Sequence, residues 1–145
     1  MEKEIKKYQN KEIYDYSCSE TIIHAANDYY QLNLSKAAFK MMAPFSGGMY
    51  ERDVCGIMSA CISVLGILFT KENSHNSPLL KEATISLRNA FLTEFGSANC
   101  QTLTDTLKDP VFGCRDLVLQ GGTILKNTVS IYQNIEKNNE VKAWN

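Results

Sequence analysis

The chain has 145 residues, of which 15 are basic and 16 acidic, and its formal net charge is −1. A domain of this length buries about 68–70% of the surface that its unfolded chain exposes, so it can build a sizeable core without disulfides. The balanced charge argues against nucleic acid or an anionic membrane surface as a partner. The charged N-terminal residues lack the apolar stretch of a secretory signal, which predicts a cytoplasmic protein.

The N-terminal part of the sequence predicts two helices. A polar helix is expected over about residues 2–14. A second helix begins at Ser17, because Ser17 and Glu20 have the spacing of a capping box, and Cys18 then falls in its first turn. The predicted apolar face of the first helix consists of Ile5, Tyr8 and Ile13.

A short third helix and a glycine-containing loop follow. The helix starts after Ser35 and is stopped by Pro44, which cannot continue it. Residues 44–53 are typical of a tight loop, in which Gly47 and Gly48 permit a positive φ or a close approach of the backbone. This loop is either a simple turn between helices or a segment that lies against a functional site.

A run without charged residues covers 54–69 and is predicted to be the buried central helix of the fold. Asp53 is expected to cap it. The run is shorter than the roughly 20 residues that a membrane-spanning helix needs, so we expect no membrane span. Gly56 and Ala60, four positions apart, allow another helix to come close, either in the same chain or across a homodimer.

Two helices are predicted in the region from 77 to 109. The clearer one starts with Ser77 as its cap and Pro78 as its first residue, and Gly96 ends it. Asn99 then opens a short helix, with Cys100 at its beginning.

The last helix is predicted to start at Gly113-Cys114 and to run to about residue 136, with a frayed tail after residue 138. Gly121 and Gly122 weaken it by about 1 kcal/mol each relative to alanine, unless close packing requires them. Because no alternating strand pattern occurs, the sequence predicts an all-α, single-domain helical bundle of about six helices over residues 1–145.

Four of the five cysteines fall close to predicted helix starts, and these are Cys18, Cys55, Cys100 and Cys114. The first turn of a helix has unpaired backbone N–H groups and the positive end of the helix dipole, so a sulfur placed there is favoured as thiolate. Thiolates ligate metals and exchange disulfides, which predicts a sulfur-based redox or metal site where these helix starts converge. Cys61 falls in the middle of a helix and is predicted to be a buried core thiol.

The charged residues just before Cys55 are either a solvated loop or part of the same site. In the second interpretation, Arg52 stabilises a nearby thiolate or an anionic cluster, while Asp53 holds the helix start. Both histidines, His24 and His75, are predicted to be surface or helix-packing residues rather than ligands.

The ordered set of four cysteines, together with FSGGM at 45–49, VCG at 54–56 and FGSANC at 95–100, resembles the C-GCAxxG-C-C family, described as redox-active. The resemblance covers about residues 15–118. It implies a small helical protein, similar to the region of split-Soret cytochromes that is associated with an iron–sulfur centre. The family cysteines correspond to the four named above, which are then the expected metal ligands. Residues expected beside the cofactor are Gly47, Gly48, Arg52 and Gly56.

The residues leave several functions open. Four thiolates match the ligand demand of an iron–sulfur cluster that transfers electrons, for which a partner oxidoreductase or electron carrier is expected. A Cys₄ zinc site needs the same number of ligands, but it usually shows close pairs that this sequence lacks. The alternatives are a metal-free thiol–disulfide redox protein, with Cys100 and Cys114 the closest pair in sequence, and a non-redox helical dimerisation or binding module.

Overall fold

The computed structural model describes residues 1–143, with side chains through residue 139. This part of the chain contains seven α-helices and no β-strand, apart from two isolated bridges, so the all-α prediction is confirmed and the helix count is one higher. The helices are α1 (Glu2–Tyr8), α2 (Cys18–Tyr30), α3 (Lys36–Lys40), α4 (Gly56–Phe69), α5 (Pro78–Phe95), α6 (Cys100–Leu107) and α7 (Arg115–Ala143).

The core is built around α4, as the charge-free run predicts. This helix packs against α2, α5 and α7, while α1 covers α2 and α7 from outside. Transfer of its apolar side chains out of water is the main term that stabilises this arrangement. The buried side chains of α4 are those of Ile57, Met58, Ala60, Cys61, Val64, Leu65 and Phe69. Among the described helices, none combines the length and apolar character needed to cross a bilayer.

Several predicted helix ends are confirmed by their hydrogen bonds. The Ser17 hydroxyl accepts a hydrogen bond from the backbone N–H of Glu20, whose carboxylate in turn accepts one from the Ser17 N–H, which completes the capping box of α2. The Asn99 side chain accepts from the N–H of Thr102 at the start of α6, at 3.0 Å. At its C-terminal end, α5 stops at Gly96, which has a φ of 74°.

The N-terminal helix is shorter than predicted. It ends at Tyr8, and the backbone then turns, with the side chain of Asn10 accepting a hydrogen bond from the N–H of Glu12. This local bond competes with helix continuation. Ile13 is consequently 70% exposed, and its assignment to the apolar face is wrong, whereas Ile5 and Tyr8 are buried.

The predicted caps of α4 and α5 have different outcomes. Asp53 does not cap the central helix, because Val54 pairs with Asn99 in an isolated bridge and keeps the chain extended until Cys55, which occupies the cap position of α4. Ser77 occupies the cap position of α5 as predicted, but its hydroxyl donates to the carbonyl of Asn73 and makes no capping hydrogen bond. At the C-terminus, α7 continues to Ala143, beyond the predicted end, and residues 144–145 lie outside the described part.

Three glycines inside α-helices, Gly56, Gly121 and Gly122, mark close contacts within this chain, whereas a Cβ on Gly66 would meet nothing within 4 Å. A Cβ on Gly56 would lie 2.7 Å from the carbonyl oxygen of Phe45 and 3.4 Å from the Cβ of Ser19 on α2. On α7, Cβ atoms at Gly121 and Gly122 would run into the side chains of Ile57 and Ile5. These contacts explain why helix-weakening residues occur in the bundle. The homodimer stays a prediction.

Candidate functional site

Four cysteines lie at the N-terminal ends of four different helices. Cys18 and Cys100 are the first residues of α2 and α6, while Cys55 and Cys114 directly precede α4 and α7. The pKa of Cys18 is raised by hydrogen bonding to Cys114, by burial, and by the negative charge that each of the other three thiolates would carry, so those three sulfurs lie within electrostatic reach of Cys18. All five cysteines of the chain are free thiols in this structure.

Cys55 and Cys100, here called the inner pair, are fixed by backbone hydrogen bonds. The Cys55 N–H donates to the carbonyl of Ala98 at 2.8 Å, and the Cys100 N–H donates to the carbonyl of Asp53. These bonds flank the Val54–Asn99 bridge and bring the starts of α4 and α6 together. The side chain of Cys55 is buried, with 5% of its surface exposed.

The glycine loop lies against the inner pair, as the second interpretation of residues 44–53 requires. A Cβ on Gly48 would lie 2.6 Å from the Cβ of Cys100 and 2.7 Å from the backbone nitrogen of Asp53, so only glycine fits there. Gly47 and Gly48 both have positive φ, at 56° and 66°. By contrast, Gly47 faces open space, with no atom within 4 Å of an added Cβ.

The same loop holds three side-chain-bearing residues in the left-handed region. Met49, Tyr50 and Arg52 have φ of 59°, 62° and 55°. Each such residue costs on the order of 1–3 kcal/mol and persists only where the surroundings enforce it. Backbone bonds supply that constraint, since the Asp53 N–H donates to the carbonyl of Gly48 and the Tyr50 N–H to that of Ser46, both at 2.9 Å.

Cys18 and Cys114, here called the outer pair, line the same cavity. The thiol of Cys18 donates a hydrogen bond to the sulfur of Cys114, which lowers the pKa of Cys114 to about 7 against the opposing effect of burial. Lys108 lowers it further through its positive charge. Since donating that bond requires the proton to stay, the pKa of Cys18 is raised, and burial raises it further.

The expectation that helix starts favour thiolate at all four positions is wrong for three of them. Burial raises the pKa of Cys55, although the nearby N–H groups of Ile57 and Met58 oppose this effect as the helix-start argument predicts. Burial also raises the pKa of Cys100. Desolvation of a charged sulfur therefore outweighs the helix dipole at these sites. Only Cys114 combines a hydrogen-bond donor with a nearby cation.

Arg52 lies near Cys100 and not beside Cys55. Its guanidinium forms an ion pair with Asp105 at 2.9 Å and donates to the hydroxyl of Thr104, both on α6. Its positive charge lowers the pKa of Cys100 in part, behind the larger effect of burial. Asp53 contributes its backbone to this region, as the acceptor for Cys100 and the donor to Gly48, and it does not cap a helix.

The remaining candidate residues behave as the sequence predicts. Cys61 is 1% exposed, and its thiol donates to the carbonyl of Gly121 at 3.7 Å across the α4–α7 contact. Burial raises its pKa. His24 stacks between the rings of Tyr16 and Phe39, with centroid distances of 4.3 and 4.0 Å, while His75 is exposed in a short 3-10 turn.

The outer pair opens onto a cavity of about 420 Å³, which Cys55 and Cys100 do not line. Sequence reasoning missed its other walls. Lys11 comes from the distant N-terminal segment, and no local pattern could have placed it there. Lys108 and Phe112 lie between Cys100 and Cys114 in sequence, so their position between two candidate cysteines was a usable signal.

The arrangement of side chains bears on metal binding. Within residues whose side chains are described, no group of three or more His, Cys, Asp or Glu side chains is arranged to hold a metal ion. The four sulfurs are neighbours, but Cys18 and Cys114 line a cavity that Cys55 and Cys100 do not, and of the latter two Cys55 is buried and Cys100 half-buried. The four cysteines therefore have the right chemistry for a metal site, but in this structure their side chains are not arranged around one point.

Comparison with known proteins identifies a family. The family described as "Putative redox-active protein (C_GCAxxG_C_C)" matches residues 16–128, which is most of the chain. No curated protein and no solved structure gives a significant match.

Proposed function

The chain belongs to the C-GCAxxG-C-C family, described as redox-active, and from this premise we propose that it transfers electrons by reversible disulfide formation between Cys18 and Cys114. The single observation that carries the proposal is that Cys18 and Cys114 line the same cavity, where hydrogen bonding between their thiols shifts the pKa of both. A disulfide requires the two sulfurs to approach to bonding distance, and the cavity that both line gives a substrate access to them. Cys55, Cys61 and Cys100 lack this combination.

The reaction balances with a disulfide as the oxidant. The Cys114 thiolate attacks one substrate sulfur, so that a mixed disulfide forms, the substrate's S–S bond breaks and one substrate thiolate leaves. The proton of Cys18 passes to that thiolate. The Cys18 sulfur then attacks Cys114, which breaks the mixed disulfide and releases the second substrate thiolate. Two electrons move from the outer pair to the substrate. The reverse sequence lets a dithiol partner oxidoreductase reduce the Cys18–Cys114 disulfide again.

The different environments of the two sulfurs suit their roles. A nucleophilic thiol works best with a pKa near the ambient pH, because lower values reduce the intrinsic reactivity of the sulfur and higher values reduce the thiolate fraction. The pKa of Cys114, near 7, meets this condition. The thiol of Cys18 keeps its proton until the mixed disulfide has formed, since its hydrogen bond to the Cys114 thiolate holds the proton in place.

The test is to locate the disulfide chemically. Reduced protein is treated with one equivalent of a small neutral disulfide, remaining thiols are alkylated, and peptides are mapped by mass spectrometry. We expect a Cys18–Cys114 disulfide, with Cys55, Cys61 and Cys100 alkylated after unfolding. A Cys100→Ser variant is the matched control and should give the same bond. A dominant disulfide between other cysteines, or no disulfide, would overturn the proposal.

Ligation of an iron–sulfur cluster by Cys18, Cys55, Cys100 and Cys114 is the second candidate, favoured by the mutual electrostatic influence of the four thiols. As they stand, the sulfurs do not fit one: Cys18 and Cys114 line the cavity, while Cys55 is buried and does not line it. When bound, a cluster would supply one-electron transfer. Anaerobic purification tests this candidate. Brown colour with iron in proportion to protein would support it, whereas zinc would indicate a structural site and absence of both metals would contradict it.

A further inference from the structure

The cavity at the outer pair has a marked charge asymmetry. Its lining includes three cations, Lys11, Lys108 and Arg115, and none of its lining residues is acidic. Lys11 donates to the carbonyl of Tyr16 at 2.6 Å and has the exposed Asp15 at 3.7 Å. Lys108 and Arg115 form no ion pair within the part of the chain whose side chains are described. Their charges therefore remain available to a ligand.

A rigid turn supplies an apolar wall beside these charges. The backbones of Asp109 and Gly113 exchange two hydrogen bonds, at 3.0 and 2.9 Å, and the Asp109 carboxylate accepts from the N–H groups of Val111 and Phe112. This turn holds Val111 and Phe112 outward, with 78% and 65% of their surfaces exposed. Large apolar side chains held this far into solvent beside a cavity are typical of a binding surface.

The size of the cavity limits what it can hold. At about 420 Å³ it falls in the usual range of small-molecule sites, about 300–1,000 Å³. One wall is fixed from behind, because the Gln9 amide donates to the carbonyl of Arg115 at 2.8 Å and ties the segment after α1 to the start of α7. A ligand the size of a short peptide would place its sulfur at the outer pair and its charged ends against the cations.

We propose that this cavity binds one half of a low-molecular-weight disulfide that carries carboxylates, and presents its sulfur to Cys114. The inference rests on the proposed dithiol function and adds its substrate class. Lys108 and Arg115 attract the carboxylates, while Phe112 covers the apolar part of the ligand. In the exchange itself, the Cys114 sulfur bonds to the bound half and the other half leaves as a thiolate, as in the balanced reaction above.

A series of three small disulfides that differ in charge provides the test. Oxidised glutathione is anionic, hydroxyethyl disulfide is neutral and cystamine is cationic. The rate at which each forms the Cys18–Cys114 bond is divided by its rate with a simple reference thiol, which removes differences in intrinsic reactivity. We expect the corrected rates to fall in the order anionic, neutral, cationic, with about tenfold or more between the first two and a smaller ratio at high salt.

A double variant, Lys108→Gln with Arg115→Gln, should bring the anionic-to-neutral ratio towards one. The ratio is the informative quantity, because Lys108 also affects the thiolate fraction of Cys114 and that effect cancels between the two substrates. Lys81→Gln, at an exposed position of α5 that does not line the cavity, is the matched control and should leave the ratio unchanged.

The outcomes separate the two proposals. If the neutral disulfide oxidises the outer pair and the anionic one has no advantage, the substrate class is wrong while the dithiol function stands. The same holds if small disulfides of every charge react slowly and a protein disulfide reacts fast, since the site then serves a macromolecular partner. If no disulfide oxidises the outer pair, the dithiol function itself fails.

Discussion

The outer and inner cysteine pairs have the same local context in the sequence but different surroundings in the fold. All four residues lie at helix starts, but Cys18 and Cys114 line a common cavity, whereas Cys55 and Cys100 lie outside its lining and are held by backbone hydrogen bonds. A helix start supplies the same N–H groups in each case. The neighbouring thiol and the degree of burial therefore shift the pKa of each cysteine more than the helix dipole does.

The largest expected difference between the pairs is in the rate of disulfide exchange. Cys114→Ser should slow oxidation by small disulfides about tenfold or more, because the remaining sulfurs hold their protons at neutral pH. Cys100→Ser is the matched variant and should react at nearly the rate of the natural sequence. Stopped-flow measurement of the second-order rate constants checks this. Equal losses in both variants would place the reactive sulfur outside the outer pair.

The inner pair should be more important for stability. Gly48→Ala places a Cβ against Cys100 and the backbone of Asp53 at a positive φ, so we expect a loss of about 3 kcal/mol or more in the free energy of unfolding. Gly47→Ala has a similar φ but open space, and should cost only about 1 kcal/mol. Urea unfolding measures both. Equal costs would show that Gly48 is required for its φ alone.

The interaction within the outer pair should appear in the pH dependence of alkylation. Cys114 should react with iodoacetamide along a curve with its midpoint near pH 7, since its thiolate is favoured there. Cys18→Ala removes the hydrogen-bond donor, so the pKa of Cys114 should rise at least to the ordinary value of a thiol and its reaction at neutral pH should slow.

Cys61→Ala is the matched control, because it removes a thiol outside the outer pair, and it should leave the alkylation curve of Cys114 unchanged. Mass spectrometry of alkylated peptides at a series of pH values gives the midpoints. A curve for Cys114 that is insensitive to Cys18→Ala would contradict the hydrogen bond as the cause of its lowered pKa.

The smallest effect is expected at the edge of the inner pair. Arg52→Ala should raise the pKa of Cys100 slightly and destabilise the protein by less than about 1 kcal/mol, because the ion pair with Asp105 is half exposed. Asp105→Asn keeps the positive charge near Cys100 and should not raise that pKa. A titration of Cys100 by thiol-specific alkylation distinguishes the two variants. If both variants raise the pKa of Cys100 equally, that pKa depends on the geometry of the Arg52–Asp105 ion pair and not on the charge of Arg52.

Local signals in the sequence were sufficient for much of the fold. The caps at Ser17 and Asn99 depend on residues three positions apart, and the stop at Gly96 depends on one residue, so short-range chemistry predicts them. The same reasoning placed Cys18 and Cys100 at helix starts. The charge-free composition of residues 54–69 likewise predicted the central helix.

The failures depend on contacts between distant residues. Asp53 loses its predicted capping role because Val54 pairs with Asn99, which no local pattern reveals. The left-handed conformation of Met49 and Tyr50 contradicts their own preferences and is imposed by the surrounding hydrogen bonds. The lowered pKa of Cys114 requires the thiol of Cys18, which is remote in sequence, and the raised values elsewhere follow from burial that only the assembled core creates.

The separation of Cys18 and Cys114 along the chain gives their proposed disulfide a mechanical consequence. It would join the start of α2 to the start of α7 and close a covalent loop of roughly 100 residues, which in the chain-entropy treatment restricts the denatured ensemble enough to stabilise the native state by about 4–5 kcal/mol. Oxidation would then make the protein durable, and reduction would return it to a form that proteases degrade sooner. The cellular lifetime of the protein would thus depend on whether the outer pair is oxidised or reduced.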